Sequence, residues 1–289
     1  MKKTLNILVT GSNGQLGKSI RKEAVNAKDS YFFTDVQELD ITDPNAVNAF
    51  VKENDINIIV NCAAYTNVDA AEDNEETAMK INGDAPGILA KAIKDNDGSL
   101  IHISTDYVFG GSGKNLPLSE DQPVSPTGAY GRTKLKGEEE IKKSGASAII
   151  LRTAWLYSDY GNNFIEKIIN LLKNHESIKV VFDQCGTPTY AQDLAKAIVN
   201  IISQRKFKGN EGIYHFSNEG VCSWYDFAHA ALELSGLEGK KILPCHSTEF
   251  PSKVIRPSYS VLDKTKYKTT FDTEIPHWHD SLKKCMTGY

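Results

Sequence analysis

No stretch of this chain approaches the ~20 consecutive apolar residues that a membrane-spanning helix needs, so the sequence points away from a bilayer partner. Cysteine is sparse: five residues among 289, at 62, 185, 222, 245 and 285, odd in number and without metal-site spacing. They suit reduced thiols in a cytoplasm better than a disulfide framework. A surplus of charge is missing too. The 33 Lys and Arg stand against 37 Asp and Glu, and the net charge of −4 gives no reason to expect nucleic acid or an anionic membrane as partner. Repeats and low-complexity tracts are absent. Met1-Lys2-Lys3 resembles the start of a signal peptide, but the apolar run behind it is only about five residues long and enters a glycine loop. It reads as a strand.

That run is Leu5 to Val9, and Thr10-Gly11-Ser12-Asn13-Gly14-Gln15-Leu16-Gly17 follows at once, with a helix-compatible stretch from Lys18 to Ala27. Strand, glycine loop and helix open a dinucleotide-binding βαβ unit. Gly11 permits the tight turn, Gly14 the close approach of backbone to pyrophosphate, and Gly17 the packing of helix on sheet. The helix N-terminus offers free N–H groups to the phosphates. A second apolar run, Tyr31 to Thr34, ends at Asp35, an acid placed about 20 residues on, where it suits the ribose 2′-OH of NAD. An acid there does not by itself exclude NADPH.

Further strands read over Ile56–Val60, Ser99–Ile103 and Ala148–Leu151, with helices over Glu75–Asp95 and Gly131–Ser144. This alternation predicts an α/β fold, a Rossmann-type doubly wound parallel sheet covered by helices. Ligands bind outside the carboxyl ends of such strands. Gly11–Gly17, Cys62–Thr66, Ser104–Asp106 and Thr153–Trp155 all fall there. After Trp155 the rhythm is lost, and prolines 188, 244, 251, 257 and 276 accumulate. The expected division is a dinucleotide-binding domain over 1–153 and a smaller α/β substrate lobe over 154–289. A helix around Asp193 to Ile202 is the segment that can return to the first domain.

Tyr130 and Lys134 stand four apart, on one helix face. An ammonium beside a phenol favours the phenolate, and a hydroxyl from Thr105, ending a strand, can hold a carbonyl oxygen against that phenol. Beside a nicotinamide, this is equipment for moving hydride to or from a carbinol carbon. The plainer readings are also open: Tyr-x-x-x-Lys as a solvated helix surface, Trp155 as a core aromatic, and Asp106 as the cap of a turn. Trp224-Tyr225-Phe227 reads as helix packing and Glu138-Glu139-Glu140 as a charged, solvated face. His277 and His279 lack a third ligand, so no metal is expected.

Taken together, Thr10–Gly17, Ala63-Ala64-Tyr65-Thr66-Asn67-Val68-Asp69, Ser104–Phe109, Tyr130–Lys134 and Arg152–Tyr157 resemble the extended short-chain dehydrogenase/reductase superfamily. Gly161-Asn162-Asn163-Phe164, Asp183–Thr189 and Arg256-Pro257 extend the likeness to the dTDP-4-dehydrorhamnose reductase family, nearly end to end. That resemblance implies reduction of the C4 ketone of dTDP-4-dehydro-β-L-rhamnose by NADH or NADPH, the last step of dTDP-L-rhamnose synthesis. It implies Tyr130 as proton donor, Lys134 as the residue that lowers its pKa and holds the nicotinamide ribose, and Thr105 as the orienting hydroxyl. Gly11, Asn13, Gly14, Gln15, Leu16, Gly17, Asp35, Asp40, Ile41, Ala63, Ala64 and Tyr65 would surround the cofactor. Val68, Asp106, Trp155, Asn162, Asn163 and Arg256 would face the sugar nucleotide. Related 4,6-dehydratases carry an acid pair, whereas here Tyr107 follows Asp106, so dehydration is not expected. Gly128 stands where many relatives carry a polar residue. Ser19 and Gln192 stand where some members place acidic metal ligands at a dimer interface, so a monomer or weak homodimer without metal is expected. Two alternatives are open: a reductase or epimerase for another nucleotide-linked keto sugar, and a non-catalytic NADP-binding subunit.

Overall fold

The apolar runs of the first half become strands, all but β2 flanked by neighbours on both sides: β1 (Asn6–Thr10), β2 (Ser30–Phe33), β3 (Ile58–Asn61), β4 (Ser99–Thr105) and β5 (Ser147–Thr153). The computed structural model describes residues 4–110, 115–250 and 252–287; the Met1-Lys2-Lys3 start and Pro251 lie outside the described residues. Seven strands follow: β6 (Leu156–Tyr157), β7 (Ser177–Val181), β8 (Cys185–Gly186), β9 (Thr189–Tyr190), β10 (Gly212–His215), β11 (Cys222–Ser223) and β12 (Lys241–Cys245). The first half of the chain carries helices α1 (Gln15–Glu23), α2 (Pro44–Glu53), α3 (Val68–Asp73), α4 (Glu75–Ala78), α5 (Ala85–Lys94) and α6 (Ala129–Ser144). The second half adds α7 (Phe164–Asn174), α8 (Ala191–Ser203), α9 (Trp224–Ser235), α10 (Thr265–Phe271) and α11 (Trp278–Met286).

Six strands pair in parallel in the order β2-β1-β3-β4-β5-β10. This is the Rossmann-type sheet that the alternation predicts, with its order reversing between β1 and β3. Successive residues of one strand point to opposite faces. Ile7, Val9, Ile58, Val60, Ile149 and Leu151 therefore pack under α1, α8 and α10. Leu8, Ile59, Leu100 and Ile150 pack under α2, α5 and α6. Three segments beyond Thr153 thus return to this sheet: α8 and α10 on one face, and β10 at the edge of β5. A separate cluster, with Tyr157, Ile165, Tyr190, Phe227, Trp278 and Leu282, unites α7, α9 and α11.

Two local expectations change. The Glu75–Asp95 helix is broken by a π-helical turn over Met79–Asp84; Pro86 has no N–H for the Asn82 carbonyl, and the helix widens there. Glu138 is not solvated. It is 4% exposed, accepts Arg152 Nε and Nη2 at 2.9 and 2.6 Å, and receives Ser104 Oγ on the same carboxylate. The paired guanidinium makes that burial tolerable, whereas Glu139 beside it is exposed. Removing Glu138 strands a buried Arg152. Glu138→Ala is expected to lower the unfolding free energy by ~3–5 kcal/mol, read from urea midpoints; a loss under ~1 kcal/mol would mean the pair holds nothing.

Candidate active site

At the reversal of strand order, the turn after β1 touches the backbone after β3. Gly11 adopts φ +62°, and a Cβ there would sit 2.6 Å from both N and Cα of Ala63. A Cβ on Gly17 would sit 2.5 Å from Ser12 Cα, so only glycine lets α1 lie so close to its own loop. No side chain caps α1 among the described residues, and its first turn holds no acid, so its terminal N–H groups are available to an anion. Asp35 closes this loop from β2, accepting from Asn13 N at 3.0 Å and from Val36 N at 2.9 Å. Asp40 is held by Thr42, and Leu39 and Ile41 give the same wall an apolar surface.

The floor is built by β4 and α6. Gly128 offers no capping side chain, and Glu72 of α3 takes that task, accepting from Ala129 N at 2.6 Å. A side chain on Gly128 would press on Glu72 and Val254, each 3.0 Å from the added Cβ, which explains the glycine here. The cap places Tyr130 in the first turn of α6, where its hydroxyl bonds Thr105 at the end of β4. Thr105 Oγ1 also donates to Asp106 Oδ1 at 3.0 Å. Tyr107 packs edge-on against the Tyr130 ring at 5.5 Å.

Lys134 is held against β4. Its Nζ donates to Ile103 O at 2.6 Å and lies 3.4 Å from His102 Nε2. Burial pulls the lysine down to about 8, against the attraction of Glu138. Burial likewise drives the Tyr130 phenol well above its ordinary value, opposed only by the Thr105 hydrogen bond, with Asp106 adding to the rise. Tyr130 is thus a phenol at neutral pH. Asp106, sealed from solvent, is raised from 3.8 to about 6 by burial, with Thr105 and Ser260 opposing. Its Oδ2 has no partner within hydrogen-bond geometry, although the Ser260 hydroxyl faces it.

One cleft of about 1850 Å³ joins these features. Gly11, Asn13, Gly14, Gln15, Leu16, Gly17, Asp35, Asp40, Ile41, Ala63 and Ala64 line one arm; Val68, Thr105, Asp106, Tyr130, Lys134, Trp155, Asn162, Asn163 and Arg256 line the rest. Tyr65 is the exception. Asn82 clamps its N and O at 2.8 and 3.0 Å, and its ring packs with Ala71, Ala78 and Ala129 away from the cleft. Asn163 lines the cleft but spends its amide as the cap of α7, accepting from Glu166 N and donating to Ser158 O. Arg256 is paired with Asp69 at 3.2 Å. Trp155 holds φ +50°, a strained conformation for a bulky residue, and stacks on Trp224 at 3.6 Å and 10°. Trp224 lines the cleft, so the aromatic cluster of α9 is more than helix packing. Its only local signal is the capping box Ser223–Asp226, which fixes a helix start and with it the direction of the ring. Asn82 and Lys80, on the π-helical turn, carry no local signal at all.

The family model described as RmlD substrate binding domain matches residues 5–289. The chain belongs to this family. It is 38% identical to a dTDP-4-dehydrorhamnose reductase of Mycolicibacterium smegmatis, over 98% of this chain and 85% of that one. A crystal structure of a dTDP-4-dehydrorhamnose reductase from Clostridium acetobutylicum superposes with TM-score 0.92 at 43% identity, covering 98% and 99% of the two chains. Another, from Bacillus anthracis in complex with NADP, superposes with TM-score 0.93 at 34% identity, covering 99% and 100%.

The raised carboxyl of Asp106 has a consequence for stability. The folded chain keeps this proton up to about pH 6, the unfolded chain only to about 4. Stability therefore falls as pH rises between those values and is level above them. Asp106→Asn removes the penalty: thermal melts should show the variant more stable at pH 7.5 by ~1–3 kcal/mol, with the gain gone near pH 4. A variant less stable at both pH values would refute the assignment.

Proposed function

We propose that this protein reduces the C4 ketone of dTDP-4-dehydro-β-L-rhamnose to the alcohol of dTDP-β-L-rhamnose, with NADPH or NADH as reductant. The observation that carries the reading is the single cleft. An uncapped helix end and glycine loop suited to a pyrophosphate share it with a Thr105–Tyr130 pair suited to a carbonyl oxygen. The likeness to the NADP-bound relative supports the cofactor class. Residues 4–153, with α8 and β10, would hold the dinucleotide, and the cluster of α7, α9 and α11 would carry the sugar-nucleotide side. The loop residues from Gly11 to Gly17 would take the phosphates, Asp35 the adenosine ribose, and Leu39 and Ile41 the adenine face. Five free thiols and no membrane-length apolar helix among the described residues suit a cytoplasmic enzyme.

A bound nicotinamide supplies the hydride. The chain supplies placement and the proton. As hydride adds to the sugar C4 carbon, negative charge builds on the carbonyl oxygen, and Tyr130 Oη transfers its proton there. Thr105 Oγ1 orients that oxygen, and the buried surroundings raise the gain from each hydrogen bond to the developing charge. A phenol held protonated by burial is the correct form for reduction. Trp155 and Trp224 would wall the sugar, Asp106 would bond its hydroxyls, and Val68, Asn162 and Arg256 would meet the nucleotide diphosphate end.

The test follows absorbance at 340 nm with NADPH, NADH in parallel, and dTDP-4-dehydro-β-L-rhamnose generated in situ. Rapid oxidation yielding dTDP-L-rhamnose is expected; stabilisation by cofactor without turnover would leave only a nucleotide-binding protein. In the same assay Tyr130→Phe should lower kcat by ~10²–10⁴-fold while the cofactor-induced rise in melting temperature persists. Unchanged kcat in that variant would remove Tyr130 from the reaction.

A further inference from the structure

NADH and NADPH differ only by a phosphate on the adenosine ribose, and the turn after β2 meets that ribose with acids. Three backbone donors of the turn are already engaged. Asn13 N–H donates to Asp35 Oδ2 at 3.0 Å, Val36 N–H to Asp35 Oδ1 at 2.9 Å, and Asp35 N–H to Glu38 Oε2 at 2.8 Å. Glu38 belongs to none of the sequence motifs and is exposed. Its carboxylate is nonetheless drawn to the turn, by the N–H next to the one that holds Asp35. Two carboxylates therefore sit on adjacent N–H groups at one edge of the cleft.

A ribose 2′-hydroxyl both donates and accepts, so it can donate to the lone pairs that the Asp35 carboxylate still has free. A 2′-phosphate dianion can only accept. At this turn it would find the N–H groups spent and acceptors of its own sign beside it. We propose that Asp35 and Glu38 together make this chain select NADH over NADPH, Asp35 by bonding the 2′-hydroxyl and Glu38 by adding a second negative charge next to it. The inference deepens the proposed function and rests on the cleft holding the nicotinamide cofactor. The Gly11–Gly17 loop and the uncapped end of α1 mark that arm independently of the two acids.

No cation offsets these acids. Among the described residues no Lys, Arg or His pairs with Asp35 or Glu38. Of the cations that line the cleft, Lys134 is held at the floor by Ile103 O, Arg256 pairs with Asp69, Lys80 pairs with Glu76, and Lys18 lies over the Tyr160 ring at 5.8 Å. Lys167 stands on α7, which packs in the cluster of the sugar-nucleotide side. Arg21 of α1 lies over the Phe33 ring at 4.1 Å and does not line the cleft. Val36, beside Asp35 on the cleft wall, is 61% exposed and has no side-chain donor to offer. The Bacillus anthracis relative holds NADP on the same fold, so the choice lies in the side chains of this turn.

The test is binding by the full chain without substrate, read from the fluorescence of NADH and of NADPH on titration. NADH should bind ~10–100-fold more tightly, the range that one hydrogen bond to a carboxylate supports. That ratio should shrink toward ~1 M NaCl, because repulsion between exposed charges is screened there. Equal affinities, or a tighter NADPH, overturn the proposal. So does a ratio that widens with salt, which is the mark of a cation gripping the phosphate. Glu38→Gln keeps an acceptor for the Asp35 N–H and loses the charge, so it should tighten NADPH by ~2–5-fold more than NADH. An equal effect on both cofactors overturns the role of Glu38. If both cofactors bind alike and both are oxidised with the keto sugar, the selection alone falls and the reductase reading stands. If neither binds, both fall.

Discussion

Glu138 sits one turn beyond Lys134 on α6 and gathers Ser104 from β4 and Arg152 from β5 onto one carboxylate. At the other end of the helix, Glu72 holds the backbone of Ala129. Between these two anchors the helix has little freedom to slide or turn, and residues four apart share a face. Tyr130 and Lys134 therefore stand at the carboxyl end of β4, over Thr105 and His102. The anchor at Glu138 is strong because it is buried: loss of either partner leaves a charge in a place water cannot reach. Tyr130 and Lys134 are positioned by residues that do not line the cleft.

The same dryness sets the charge state of the site. Asp106, Tyr130 and Lys134 are each shifted toward the uncharged form, with burial the largest cause in every case. For the Tyr130 phenol, burial is the largest cause and the Thr105 hydrogen bond opposes it. Such a cleft is poorly suited to holding charge at rest and well suited to stabilising charge that appears during reaction. The strained backbone of Trp155 belongs with this design: its ring is trapped between Gly186, where a Cβ would lie 2.7 Å from the indole, and the stacked Trp224. Arg256, half-buried at the cleft, pairs with Asp69, and Lys253 pairs with Asp73 in the open; such pairs contribute little stability.

Much of the first half was legible because its signals are local. An apolar run, a glycine turn and an acid at the end of the next strand are each a few residues long, and their order along the chain mirrors their order in space. Tyr130 and Lys134 were legible through helical spacing. Glu138 was misread because helical neighbours Glu139 and Glu140 are partly or wholly exposed, and nothing nearby in sequence reveals that Arg152 waits on β5. Tyr65 sits inside a motif whose neighbours line the cleft, but the strand-end backbone turns its ring the other way. β10 is short and only half apolar, and its place at the sheet edge depends on pairing with β5 rather than on its own pattern.

By itself the sequence determined the class of fold and marked the glycine loop after β1 and the Tyr130–Lys134 pair, since those depend on periodicity and on residue types within one turn or one strand. The tertiary structure alone decided the directions in which Asp106, Tyr130 and Lys134 are shifted and the partnership of Trp155 with Trp224. These depend on desolvation and on contacts between residues tens of positions apart, and no local pattern encodes how much water the finished fold expels.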